Sequence, residues 1–187
     1  ADIKVSQKGT YKIRLDSQNV MANYILNGEQ KRWRGSEDKM ATEIPVEAKD
    51  VKVSRTFNRV DTFVTSGKPS DSVLNPVGQG LELVALSHPN ELFAKEKSIF
   101  KVLFDGKPLA NAVVTIAAGG VRYRGVLNEM TATTNAQGEF NVTWPFAEMY
   151  WLKLSYPSAP TMKIEGAPVE MPEKRYSYAA TLEVLPQ

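Results

Sequence analysis

Few side chains in this sequence could carry chemistry of their own. His88 is the single imidazole, and there is no cysteine. Without thiols the chain has no disulfide framework, no cysteine-based zinc site, no iron–sulfur cluster and no cysteine nucleophile. A lone histidine cannot build a multi-histidine centre. His88, helped by Glu82 or Glu91, is therefore a weak candidate ligand for a divalent ion such as Ni²⁺ or Co²⁺. The plainer reading makes it a turn residue beside Pro89 at the end of a strand. Arg32-Trp33-Arg34 sets an indole between two cations, a pattern able to stack on a base or hold an anion. A packed Trp33 with solvated basic neighbours weighs more, because no further basic stripe adjoins it. Arg122, Tyr123 and Arg124 follow Gly119-Gly120. With Glu129 they are candidates for an anion pocket or a partner patch. The competing reading is a short strand with Tyr123 on one face and both arginines on the other. Trp144, Phe146, Tyr150 and Trp151 invite a sugar platform, but alternation puts Trp144 on the face of Phe140 and Val142, where it would pack in a core.

Catalytic patterns are missing. A serine triad would have to use His88, yet there is no Gly-x-Ser-x-Gly elbow, no phosphate-binding P-loop and no Gly-x-Gly-x-x-Gly after a strand. A carboxylate pair for glycoside hydrolysis stays open, since 21 acidic residues offer many pairings that sequence spacing does not resolve. The expectation is a protein that is not an enzyme. Lys and Arg number 23, so the formal net charge is +2, which gives no reason to expect nucleic acid or an acidic membrane as partner. No run approaches the roughly 20 apolar residues that span a bilayer.

The elements that must position these residues are mostly strands. Ile3 and Val5 alternate, Gly9 punctuates, and Tyr11, Ile13 and Leu15 alternate again, which predicts a hairpin from the first residue. A third strand over Val20, Ala22, Tyr24 and Leu26 ends at Asn27-Gly28, a tight-turn dipeptide. Ser36 with acidic Glu37 and Asp38 is the clear helix start, and Pro45 stops it after about two turns. Val51, Val53, Phe57, Val60 and Phe63 predict an extended strand or strand pair, with Arg55, Asn58, Arg59 and Asp61 mostly exposed. Turn-rich residues 67–78 suggest a connector, with a domain boundary near residue 78. Beyond it, about seven strands with regular turn signals predict a β-sandwich, with residues 157–172 as a long loop. The expected fold is all-β: an N-terminal antiparallel β domain with one short helix at 1–78, then an Ig-like or prealbumin-like sandwich at 79–187.

Three segments carry a resemblance. Phe104-Asp105-Gly106-Lys107-Pro108, running on to Val114, resembles the prealbumin-like or carboxypeptidase-regulatory type of sandwich, as do Thr133-Thr134-Asn135-Ala136-Gln137-Gly138-Glu139-Phe140 and Met149-Tyr150-Trp151-Leu152. Taken with Gly80-Leu81-Glu82-Leu83-Val84, His88-Pro89-Asn90, residues 31–35, Val60-Asp61-Thr62-Phe63-Val64, Arg122-Tyr123-Arg124 and Trp144-Pro145, they resemble an uncharacterised-domain family associated with the periplasmic component of ABC-type nickel/cobalt uptake systems. That resemblance implies secretion behind a signal peptide, a membrane transporter component or a metal ion as partner, and a histidine-bearing segment before the Gly-Thr-Tyr turn, here Gly9-Thr10-Tyr11. The expected histidine would lie upstream of Ala1, in a chain whose natural N-terminal part is missing. The expectation is thus a periplasmic, non-enzymatic accessory protein of nickel/cobalt transport. Its alternative is a structural or adhesive module that binds protein or glycan.

Overall fold

The computed structural model describes residues 3–120, 122, 125–127, 129–157 and 172–187. It is all-β: two sheets packed face to face, with a short α-helix, Glu37–Glu43, beside them. The order is β1 (Gly9–Leu26), β2 (Glu29–Gly35), α1 (Glu37–Glu43), β3 (Lys49–Ser66), β4 (Leu81–Ala85), β5 (Leu92–Phe93), β6 (Lys97–Phe104), β7 (Lys107–Pro108), β8 (Val113–Ala118), β9 (Met130–Thr133), β10 (Glu139–Thr143), β11 (Glu148–Tyr156) and β12 (Lys174–Leu185). The large sheet runs β2-β1-β3-β12-β11-β8-β9, with β5 also on β12; the small sheet runs β10-β6-β4, with β7 on β6.

The turn chemistry is local and follows the sequence. Asn27 and Gly28 both take positive φ, 54° and 80°, as a tight two-residue hairpin requires. Ser36 is extended ahead of α1, and Ile44 returns to extended backbone because Pro45 disfavours helical geometry before it. Asp105-Gly106, with φ of 49° and 75°, turns β6 into β7.

The N-terminal region differs from expectation. Residues 3–6 carry no regular secondary structure, and the expected second and third strands are one 18-residue strand, β1. It stays extended through polar Asp16-Ser17-Gln18 because β3, equally long, pairs with it from Gly9↔Ser66 to Ile25↔Lys49, with a register irregularity near Tyr24. Each strand spans roughly 60 Å. The strands before residue 78 do not close a sheet of their own. The second edge of β3 pairs in parallel with β12, from Arg55↔Lys174 to Thr62↔Thr181, so one sheet runs across the expected boundary.

Alternation sets the core. Phe100, Val102, Phe140 and Val142 of the small sheet meet Ile116, Tyr150, Leu152, Leu154, Tyr178, Ala180 and Leu182 of the large one. A second small core lies at the far end of β1, where Val20, Ala22 and Trp33 are buried with Met40 and Ile44 of the α1 segment packed on them. The inner face of the large sheet thus has two covers, the small sheet and α1. Of the expected strand at 121–124 only Arg122 is described, and it is helical rather than extended; the loop expected at 157–172 falls largely outside the described residues.

Candidate functional site

Between those two covers the inner face of β1 and β3 turns from apolar to charged. Lys12, Arg14 and Asp16 alternate onto this face opposite Phe63, Asp61 and Arg59. Asp61 is fully buried. Arg14 grips it bidentately, Nε to Oδ1 at 2.9 Å and Nη2 to Oδ2 at 3.1 Å, and the Tyr178 hydroxyl donates to Oδ2 at 3.0 Å. Burial pushes the Tyr178 hydroxyl well above its ordinary pKa, and the adjacent Asp61 charge adds to it. The hydrogen bond to Asp61 holds Arg14 still more firmly protonated. Lys12, whose ammonium lies 5.7 Å from the Phe63 ring centroid, is lowered by partial burial.

Arg59 carries the pattern to the rim. Its Nε donates to Asp16 at 2.9 Å and its Nη1 to the Gln79 carbonyl at 2.9 Å, with Glu82 3.6 Å away. Glu82 is buried and accepts the Val77 and Gly78 amides at 3.0 and 2.7 Å. The Arg59 guanidinium therefore ties the long sheet to the start of β4. Beside it opens a cleft of about 430 Å³, lined by Asp16, Gln18, Phe57, Arg59, Gln79 and Tyr176 among others. Phe57 and Tyr176 stack at 5.0 Å between ring centroids, nearly parallel, and Phe104 meets Tyr176 edge-on at 4.8 Å.

The residues singled out by sequence fall elsewhere and are not brought together. His88 is half-buried, and both its ring nitrogens are occupied: Nδ1 accepts the Asn90 amide at 3.2 Å, and Nε2 lies 3.1 Å from Thr10 Oγ1. The tautomer consistent with this network carries its proton on Nε2. The chain of bonds continues from Thr10 to Thr65 and on to the Asn90 side chain, 2.9 Å at each step. Glu82 is spent on its own amides and on Arg59, and Glu91 is exposed. Among the described residues, no group of three or more His, Asp or Glu side chains is placed to hold a metal ion. We expect His88→Ala to lower stability by about 1 kcal/mol through the broken hydrogen-bond chain. Calorimetric titration with Ni²⁺ or Co²⁺ should give the same isotherm before and after the change; a loss of binding heat would make His88 a ligand.

Trp33 is a core residue of the β1–β2–β3 end, 9% exposed, with its indole N–H on Glu43 at 2.8 Å. Arg122 is exposed, and Tyr123 and Arg124 lie outside the described residues. Trp144 and Tyr150 are buried in the sandwich with ring centroids 4.8 Å apart, whereas Trp151 faces outward beneath Lys153.

Arg59 and Asp61 were expected to be mostly exposed; instead Asp61 is buried and Arg59 half-buried. Tyr178, which bonds Asp61, comes more than a hundred residues later, and Arg59 is held by Asp16, Gln79 and Glu82 from other strands and the connector, so the residues next to them in sequence do not announce their burial. The available signal was the complementary sign of Lys12, Arg14 and Asp16 against Arg59 and Asp61, which becomes legible only once the β1–β3 register is known.

Among the described residues no helix is long and apolar enough to cross a membrane. A family model described as a domain of unknown function (DUF4198) matches residues 1–158. No curated protein matches the chain.

Proposed function

The chain belongs to the DUF4198 family, and from that premise we propose that it is a non-enzymatic periplasmic accessory protein of a nickel/cobalt uptake system, one that works by docking on the membrane component of the transporter. The observation that supports docking is the outer face of the large sheet. Leu15 and Val60 are directly opposed there, Val64 lies further along β3, and Met149 and Trp151 lie on β11 beyond Thr181 and Glu183 of the intervening β12. All five are exposed, Leu15 by 67% and Trp151 by 41%. Large apolar side chains exposed on one open sheet face, with polar residues between them, make the kind of surface that soluble proteins keep for partners. The metal and the compartment come from the resemblance carried by residues 31–35, 60–64, 80–84 and 88–90. The non-enzymatic part is supported by the inner face, where Arg14 with Asp61 and Arg59 with Asp16 are tied in pairs rather than aimed at a shared reacting atom.

The test is cellular. Deleting the protein should lower Co²⁺ or Ni²⁺ uptake at limiting metal, and the wild-type chain should restore it. Leu15→Asp combined with Trp151→Asp should fail to restore uptake while the purified variant keeps its melting temperature. Unchanged uptake on deletion, or full rescue by the double variant, would overturn the proposal. The alternative, a structural or adhesive envelope module, leaves metal uptake untouched, so the same deletion separates the two.

A further inference from the structure

We propose that the cleft between β4 and the β1–β3 pair is a binding site for a neutral saccharide. Its size, about 430 Å³, lies within the range of small-ligand sites, and its composition is an apolar floor with a few polar groups at one side. The floor is the stacked pair Phe57 and Tyr176, both half-buried, with Phe104 packed edge-on against Tyr176. An aromatic face carries negative π density, and the C–H groups on one face of a pyranose ring present a weakly positive, apolar surface that fits it.

The polar side suits hydroxyls better than charges. Asp16 and Arg59 neutralise each other across 2.9 Å, and the Glu82 carboxylate is buried on two backbone amides with Arg59 at 3.6 Å. An anion would meet no uncompensated cation here, and a metal ion would meet no converging carboxylates. A wholly apolar ligand would cover the Asp16–Arg59 pair and leave its remaining donor and acceptor sites unmatched. Around the same opening the Gln18 and Gln79 amides and the Tyr176 hydroxyl make no hydrogen bond among the described residues. Two neutral amides, one phenol and a fixed carboxylate–guanidinium pair supply both donors and acceptors, which is what vicinal hydroxyls need. The site lies on the opposite face of the sheet from the exposed Leu15–Val60 pair, so it neither needs nor excludes docking through that face.

The ligand could be a free sugar or part of an envelope polymer, so the experiment carries both arms. The full chain is titrated calorimetrically with maltose, cellobiose and chitobiose, then with inorganic phosphate and choline, and is co-sedimented with insoluble cellulose and chitin. Saturable binding to a neutral disaccharide, or co-sedimentation with a polymer, supports the proposal and identifies the source. Gln18→Ala and Tyr176→Phe should each weaken that binding about tenfold, the scale of one hydrogen bond, with an unchanged melting temperature. No binding in either saccharide arm, tighter binding of phosphate or choline, or wild-type binding by both variants would overturn it. Metal uptake in cells carrying Gln18→Ala should match wild type, so loss of the saccharide site and loss of the docking role read out separately.

Discussion

Asp61→Ala is expected to destabilise the fold by about 3–5 kcal/mol, the cost of breaking a buried ion pair by removing one partner. Asp61 is 0% exposed and takes three hydrogen bonds, two from Arg14 and one from Tyr178. Removing the carboxylate strands a guanidinium that is 22% exposed and a hydroxyl that is fully buried. Asp61→Asn should cost less, because an amide oxygen still accepts from one of the two donors. Replacing all three together, Arg14→Met, Asp61→Leu and Tyr178→Phe, should cost less than Asp61→Ala alone, since no polar group is then left unmatched. Denaturant unfolding at neutral pH checks the order. If the triple variant is the least stable of the set, the network is a net source of stability and the ranking fails.

The same network carries a pH signature. Tyr178 has its folded pKa raised, first by burial and then by Asp61. Its contribution is complete below the unfolded tyrosine value of about 10 and is lost as pH climbs through the higher folded value, because the folded state resists ionising a hydroxyl that the unfolded state ionises freely. Lys12, lowered by burial, works the other way and recovers stability over the alkaline range. Tyr178→Phe should therefore flatten the alkaline fall, although it lowers stability at neutral pH.

Trp144→Ala is expected to cost about 3–5 kcal/mol for the lost burial and the cavity left behind. The ring is fully buried, meets Phe100 edge-on at 6.3 Å and Tyr150 at 4.8 Å, and donates its N–H to Ser98 at 2.8 Å. Ser98 is itself 3% exposed, so Trp144→Phe, which keeps most of the apolar volume, still leaves a buried hydroxyl without that donor. It should fall between Ala and wild type. Trp151→Ala, seven residues on and pointing outward, should stay within about 0.5 kcal/mol of wild type. Thermal unfolding of the three variants tests this, and similar losses at Trp144 and Trp151 would contradict the alternation that separates them.

That alternation is the part of the fold most legible in the sequence. Phe140, Val142 and Trp144 reach the core as their period of two predicts, and Asn27-Gly28 and the Ser36-to-Pro45 helix stand where local chemistry puts them. What local reading misses depends on partners distant in sequence. Asp16-Ser17-Gln18 looks like an interruption between strands until β3 is seen to pair through it. Asp61 looks solvated until Tyr178 arrives beside it. The cleft is illegible for the same reason: Phe57, Gln79 and Tyr176 share it only because three separate stretches of chain converge.

The parallel joint between β3 and β12 has a kinetic consequence. Thr62 and Thr181 share a 2.7 Å hydrogen bond across a sequence separation of 119 residues. Closing a loop of that length precedes any reward from the pairing, which places the chain among slowly folding, high-contact-order topologies. Until β12 docks, β3 presents an 18-residue strand with one unsatisfied edge, a template for pairing with another copy. Substitutions that delay β12 would then reduce the yield of folded protein through association of unfinished chains, even where the finished molecule melts at an unaltered temperature.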